Sequence, residues 1–233
     1  MGSSRLAGKV LATVAGRPML WHVVERVRTA QSVAQVVVAT PDGEKDAPLR
    51  KFCEDYGIEL VAGSETDVLD RYYRAAVQYD ADPLLRITAD CPLVDPELVD
   101  RLVRMYQQGD WDYVAVAAGT DAQQLPNGRY PDGLDAECLS FAVLKQAWQE
   151  ATDPLDREHA TRFIWRQKDR FRCGRLTSPQ DLGHLRLTVD YPGDLELIRK
   201  IYSVLYRDGE VFPLSGVVKL LHERADLITQ VSE

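Results

Sequence analysis

A chain of 233 residues, 45 % hydrophobic and 27 % charged, is long enough to bury roughly 70 % of its unfolded surface in a core that needs no covalent or metal staple. Its formal net charge of -8 argues against nucleic acid or an anionic membrane as the main partner, since either favours a basic face. Cys53, Cys91, Cys138 and Cys173 form no C-x-x-C pair, and no apolar run reaches the roughly 18 residues of a membrane span, so a cytoplasmic protein with thiols as small core hydrophobes is expected, without a structural zinc site.

The chain opens on MGSSRLAGKVL. Small residues at Gly2, Ser3, Ser4, Ala7 and Gly8 allow several backbone N–H groups, with the cations of Arg5 and Lys9, to face one anion. Phosphate is the usual anion. The loop is not a Walker A motif, because five residues separate Gly2 from Gly8 and Val10 follows Lys9, where that motif needs four and a hydroxyl. Leu6 rules out N-myristoylation, which asks for Ser or Thr there. The M-G-S-S start also resembles an expression tag, but no histidine run follows it.

From residue 18 onward, helical periodicity alternates with short β-branched runs, the pattern of a mostly parallel sheet covered by helices. Pro18 opens a helix with Leu20, Val23, Val24 and Val27 on one face. Val36 to Ala39 reads as a buried strand; a helix carrying Leu49, Phe52, Cys53 and Tyr56 stops at Gly57, and Ile58 to Val61 is the next strand. A third helix spans about 66–79 and a strand 83–88. The loop ADCPLVDP leads to a helix aligning Val99, Leu102, Val103 and Tyr106. Residues 112–116 form a strand, and 119–129 lack periodicity and read as a loop. Beyond it come a strand at 134–138, helices near 140–150 and 155–168, strands at 171–176 and 185–189, and helices after Pro192 and near 215–224. No linker divides the chain, so 1–233 is read as one domain with 119–176 as a substrate and dimerisation subregion.

In an open α/β sheet, ligands bind beyond the carboxyl ends of the strands. Asp90 and Asp190 each stand just past a strand and each precedes a proline by two residues. Two hard oxygen ligands on stiff turns suit Mg²⁺, typically held by one or two carboxylates plus substrate phosphates. Either aspartate would equally serve as an ordinary helix N-cap.

The segments GRPMLWHVVERV, VVVAT, GSETDVLDRYYRAA, RITADCPLVDPELVD, YPDGLDAECLS, REHAT and HLRLTVDYPGDLELIRKIY follow MGSSRLAGKVL in order. This set, covering essentially the whole chain, resembles the spore coat polysaccharide biosynthesis protein F branch of the cytidylyltransferases, which is related to the acylneuraminate and 3-deoxy-manno-octulosonate cytidylyltransferases. The resemblance implies a nucleotide-diphospho-sugar transferase fold and a Mg²⁺-dependent transfer of CMP from CTP to an acidic sugar, with release of pyrophosphate, for surface polysaccharide. It implies that Arg5 and Lys9, helped by the amides of Gly2 and Ser3, neutralise the β- and γ-phosphates. By the same resemblance Asp90 and Asp190 hold the metal, Asp67 and Arg71 lie near the cytosine, Asp132, Gly133, Glu158 and His159 line the sugar side, and the protein is a homodimer. A solvated helix face explains Asp67 and Arg71 about as well, and an ordinary surface or core histidine explains His159.

The family places an apolar strand and a Gln-Ala-Arg turn before the position of Met1, and proline at the position of Ala7. The central strand is therefore expected to be missing from this sequence, leaving a slot between its two neighbours, unless the natural start lies upstream of Met1 or the chain closes the gap in another way. Two other functions fit the fold class: a glycosyltransferase using a nucleotide-diphospho-sugar donor, disfavoured because Cys91 and Pro92 follow Asp90 in place of an Asp-x-Asp motif, and a nucleotide-binding module without catalysis.

Overall fold

The computed structural model describes residues 6–119 and 122–229. A small hairpin of β1 (Thr13–Val14) and β2 (Arg17–Pro18) precedes α1 (Met19–Arg28), which buries Leu20, Val23, Val24 and Val27. Then come β3 (Val37–Pro41), α2 (Ala47–Asp55), β4 (Glu59–Gly63), α3 (Val68–Gln78), β5 (Leu84–Ile87), α4 (Pro96–Gln108) and β6 (Tyr113–Val116). The second half holds β7 (Ala136–Leu139), α5 (Phe141–Glu150), α6 (Pro154–Glu158), α7 (Arg162–Trp165), β8 (Cys173–Leu176), α8 (Pro192–Leu205), α9 (Leu214–Glu223) and the short α10 (Asp226–Thr229). No helix among the described residues is long and apolar enough to cross a membrane.

Four strands form one sheet in the order β5-β7-β6-β8. β7 is antiparallel to both neighbours and β8 is parallel to β6, so three of these strands share a direction as the alternating pattern implied. Alternation along β6 decides the layers. Val114 and Val116 join the core beneath α4 and α8, while Tyr113 and Ala115 join the one beneath α3, α5 and α7. Both faces are covered, which is why all of β6 is buried.

β3 and β4 pair in parallel as a separate two-stranded sheet. Val38 of β3 shares a core with Leu85 and Ile87 of β5, beneath α1 and α2, yet among the described residues no backbone hydrogen bond joins β3 to β5. Among the described residues the β3–β4 pair is thus not joined to the four-stranded sheet. Val37, Val38 and Ala39 are only half-buried, unlike β6. Peptide groups left unpaired along a strand edge cost about 1–3 kcal/mol each when water is excluded, and open edges invite pairing with other chains.

Two sequence expectations need correcting. Residues 185–189 are extended but form no strand: their pairing is confined to single bonds, Leu187 N–H to Asp132 O at 2.7 Å and Val189 N–H to Asp90 O at 2.9 Å, with Asp132 N–H donating to Leu185 O at 3.1 Å. The helix expected at 155–168 is broken into α6 and α7, because Ala160 takes a left-handed φ of 47° between them.

Candidate active site

β5 ends at Ile87, and the chain then turns through Thr88 and Ala89 to Asp90. The carbonyl of Asp90 accepts the Val189 N–H at 2.9 Å and the Thr188 hydroxyl at 3.3 Å, which ties the residue before Asp190 to the backbone of Asp90. A third segment crosses here. Gly133 has φ +96°, and a Cβ on it would lie 2.3 Å from Thr188 N and 2.5 Å from Leu187 C, so only glycine permits this approach. Two aspartates one hundred residues apart in sequence thus reach one place through backbone contacts that leave their side chains free to converge.

Neither aspartate caps a helix. Asp95 caps α4, accepting from Leu98 N–H at 3.0 Å, and Asp194 accepts the N–H groups of Asp190 and Tyr191 at 2.8 and 2.9 Å at the start of α8. Instead, Asp90 and Asp190 face a shared cation. The ammonium of Lys9, on the turn Lys9–Leu11, donates to Asp90 Oδ2 at 3.0 Å, Asp190 Oδ1 at 2.9 Å and Val189 O at 2.7 Å. Its side chain is 11 % exposed.

Arg186 supplies the other positive charge. It donates to Asp132 at 2.6 Å, Asp190 Oδ2 at 2.9 Å and both oxygens of Asp194 at 3.3 Å. Burial works against its charge, but Asp194 and Asp190 outweigh that and hold its pKa above the ordinary range. Burial raises the pKa of Asp132, reinforced by Asp190, Asp90 and Asp194 and opposed by Arg186. Asp135 is pushed up to about 6 by burial, against the hydrogen bond from Gly133 N–H, with Asp132, Glu137 and Asp90 adding to the rise. Lys9 and Arg186 thus pair with the carboxyls of Asp90, Asp132, Asp190 and Asp194, and Asp135 stands beside Asp132 and Asp90.

The oxygens of Asp90, Asp190 and Val189 that meet at the Lys9 ammonium are the hard donors that Mg²⁺ prefers. Among the described residues no group of three or more His, Cys, Asp or Glu is arranged to hold a metal. A metal at this pair would therefore take its remaining ligands from substrate or water, as Mg²⁺ usually does in phosphate sites.

The other expected residues divide. Gly2, Ser3 and Arg5 lie outside the described residues. Asp132 and Gly133 sit beside Asp190, as above. Asp67 caps α3, accepting from Asp70 N–H at 2.9 Å, and pairs with Arg157 at 2.6 Å, so its carboxylate already has structural work. Arg71 is different. It is 8 % exposed, and its Nε and Nη1 are buried without a hydrogen-bond partner. Burial lowers its pKa. Its side chain lies against Gly63, at the carboxyl end of β4. Glu158 and His159 are exposed at the end of α6, and no side-chain hydrogen bond or ion pair among the described residues links them to the acidic cluster. Arg186, Asp135 and Asp194 escaped the sequence reading. Asp194 had a usable signal, since an acid three residues past a helix start commonly reaches back to the first N–H groups.

A three-layer α/β/α fold with an acidic cluster beyond β5 that pairs with Lys9 is an architecture of the nucleotide-diphospho-sugar transferase fold. The solved cytidylyltransferase of Leptospira borgpetersenii superposes with a TM-score of 0.88, covering 98 % of this chain and 92 % of that one at 24 % identity. The chain belongs to the cytidylyltransferase family, whose sequence pattern matches residues 1–203. It is 29 % identical over 239 residues to the spore coat polysaccharide biosynthesis protein SpsF of Bacillus subtilis, covering 99 % of this chain and 94 % of that one. It is also 36 % identical over 101 residues to the 3-deoxy-manno-octulosonate cytidylyltransferase of Geotalea daltonii, covering 43 % of this chain and 39 % of that one.

Proposed function

We propose that the protein transfers CMP from CTP to an acidic sugar, releasing pyrophosphate, in a Mg²⁺-dependent reaction that feeds surface polysaccharide synthesis in the cytoplasm. The observation that carries this reading is the meeting of Asp90 and Asp190 at one point, where both carboxylates pair with the ammonium of Lys9. A sugar hydroxyl oxygen gives up its proton to solvent and forms a bond to the α-phosphorus while the bond from that phosphorus to its bridging oxygen breaks, and pyrophosphate leaves with that electron pair. Such transfers ask the protein mainly for positioning and charge stabilisation.

Asp90 and Asp190 would hold Mg²⁺, which when bound neutralises charge on the transferring phosphate. Lys9 and Arg5 grip the remaining phosphates, with the amides of Gly2 and Ser3. Arg186 fixes the rotamer of Asp190 through two-sided pairing with Asp132 and Asp194. Arg71, a desolvated cation with unused donors, suits the carbonyl and ring nitrogen of cytosine, and Asp67 orients the helix that carries it. Asp132 and Gly133 border the sugar hydroxyl, while Glu158 and His159 are assigned to the sugar on family resemblance alone.

The test is a panel of CTP, UTP and GTP against several 2-keto sugar acids, read by pyrophosphate release. Release with CTP and one such acid is expected. Preference for UTP or GTP, or release of free nucleotide from a nucleotide-diphospho-sugar donor, would overturn the assignment.

A further inference from the structure

Lys9 holds a position that conflicts with a simple phosphate-binding role. All three hydrogens of its ammonium are spent on Asp90, Asp190 and Val189 O, and a lysine has no further donor to offer a phosphate. The oxygens it uses are the ones a divalent cation would need. Two cations cannot share that donor set at close range, because like charges a few Å apart in a poorly solvated site repel strongly. Nor is the ammonium idle there. Without it, Asp90 and Asp190 would face each other, with Asp132 and Asp194 nearby around Arg186.

The flexible four-carbon stem of Lys9 lets its ammonium leave these oxygens while the turn stays in place. Gly8 precedes it in the left-handed region at φ 70°, and the turn Lys9–Leu11 contains no fully buried residue. The Lys9 side chain is held by its bonds to Asp90, Asp190 and Val189 O, while its backbone is bonded to Leu6 and Ala12 and its neighbours Val10 and Leu11 pack against the core.

We propose that Lys9 is the resident counter-ion of the Asp90–Asp190 pair and that a divalent cation enters by displacing it, which frees the ammonium for the nucleotide's phosphates. The inference rests on the metal-dependent reading above. It makes metal and triphosphate binding cooperative: the metal removes Lys9 from the carboxylates, and the phosphates give the displaced ammonium a new partner. Without nucleotide the metal competes with Lys9 and binds weakly.

The competition is measurable on the protein alone, without CTP or turnover, by titrating Mn²⁺ at constant ionic strength and reading free metal by electron paramagnetic resonance. Lys9→Met is expected to bind Mn²⁺ at least ten-fold more tightly than wild type, and Lys9→Met/Asp90→Asn to lose that gain. Lys9→Arg, which keeps the charge, is expected to stay near wild type. Should Lys9→Met fail to fold, Lys9→Gln carries the same expectation, since it keeps hydrogen bonding and drops the charge. Equal or weaker Mn²⁺ binding in the neutral variants, with Asp90→Asn still weakening it, would overturn the displacement and leave the metal site standing. Mn²⁺ binding indifferent to both Lys9 and Asp90 would remove the metal site and the displacement together.

Discussion

Replacing Gly133 with alanine should separate the two halves of the site. The added Cβ would lie 2.3 Å from Thr188 N, 2.5 Å from Leu187 C and 2.8 Å from Leu187 O, all backbone atoms that no side-chain rotation relieves. Relief requires residues 187–188 to move, and those residues lead directly to Val189 and Asp190. Gly209 is the control, since it also has positive φ, at +77°, but a Cβ there meets nothing within 4 Å. Both variants carry the conformational penalty of about 1–2 kcal/mol for an L-residue in that region. Gly133→Ala adds overpacking of about 1–3 kcal/mol. For a chain of this size each kcal/mol lowers Tm by roughly 2–4 °C, so Gly133→Ala should unfold about 2–12 °C below Gly209→Ala in a thermal scan. Pyrophosphate release at a temperature where both are folded should fall at least about ten-fold in Gly133→Ala alone, by displacement of Asp190. Equal Tm and equal rates for the two variants would refute the claim that this backbone crossing positions the site.

Further outcomes follow from charge and from the open strand edges. Asp135, pushed up to about 6 from an ordinary 3.8, holds its proton more tightly folded than unfolded. The stability it contributes is therefore full below about pH 4 and lost as pH rises through 6. Asp135→Asn should gain stability over wild type by about 1–2 kcal/mol more at pH 7.5 than at pH 4.5 in urea unfolding; a pH-independent difference would contradict this. Arg71→Met removes a buried charge whose Nε and Nη1 lack hydrogen-bond partners, so Tm should stay level or rise, while KM for CTP rises about ten-fold or more and kcat changes less; a large loss of Tm would mark Arg71 as structural. In hydrogen exchange, the amides of β3 and β5 that face the slot should exchange at least about a hundred-fold faster than those of β6, which pairs on both sides; equal protection would show the slot closed in solution.

The helices were legible because their apolar residues repeat at the helical period: Leu20, Val23, Val24 and Val27 of α1 and Leu195, Ile198, Ile201 and Tyr202 of α8 all lie inward. The stretch 185–189 carries the composition of a strand, but strand identity depends on a continuous partner, and here one side meets single residues of the loops at Asp132 and Asp90. The break at Ala160 depends on a local φ that a helical pattern does not reveal. At the site, the rule that ligands gather beyond strand ends singled out Asp90 and Asp190, whereas spacing alone left capping open. Asp95 and Asp194 settle that by taking the capping work themselves. Arg186 was illegible, since its partners run from residue 132 to 194 and only the crossing at Gly133 brings them together. The split between the β3–β4 pair and the four-stranded sheet could be anticipated only through family resemblance, because strand composition does not reveal which strands pair.

The most direct test of a shared Asp90–Asp190 site is a double-mutant cycle on pyrophosphate release at limiting Mg²⁺, with Asp90→Asn, Asp190→Asn and the double variant. Residues acting as one unit are strongly non-additive, so each single variant should lose about a hundred-fold or more and the double should lose little beyond the worse single. Wild-type rates in either single variant, or losses that multiply in the double, would contradict it.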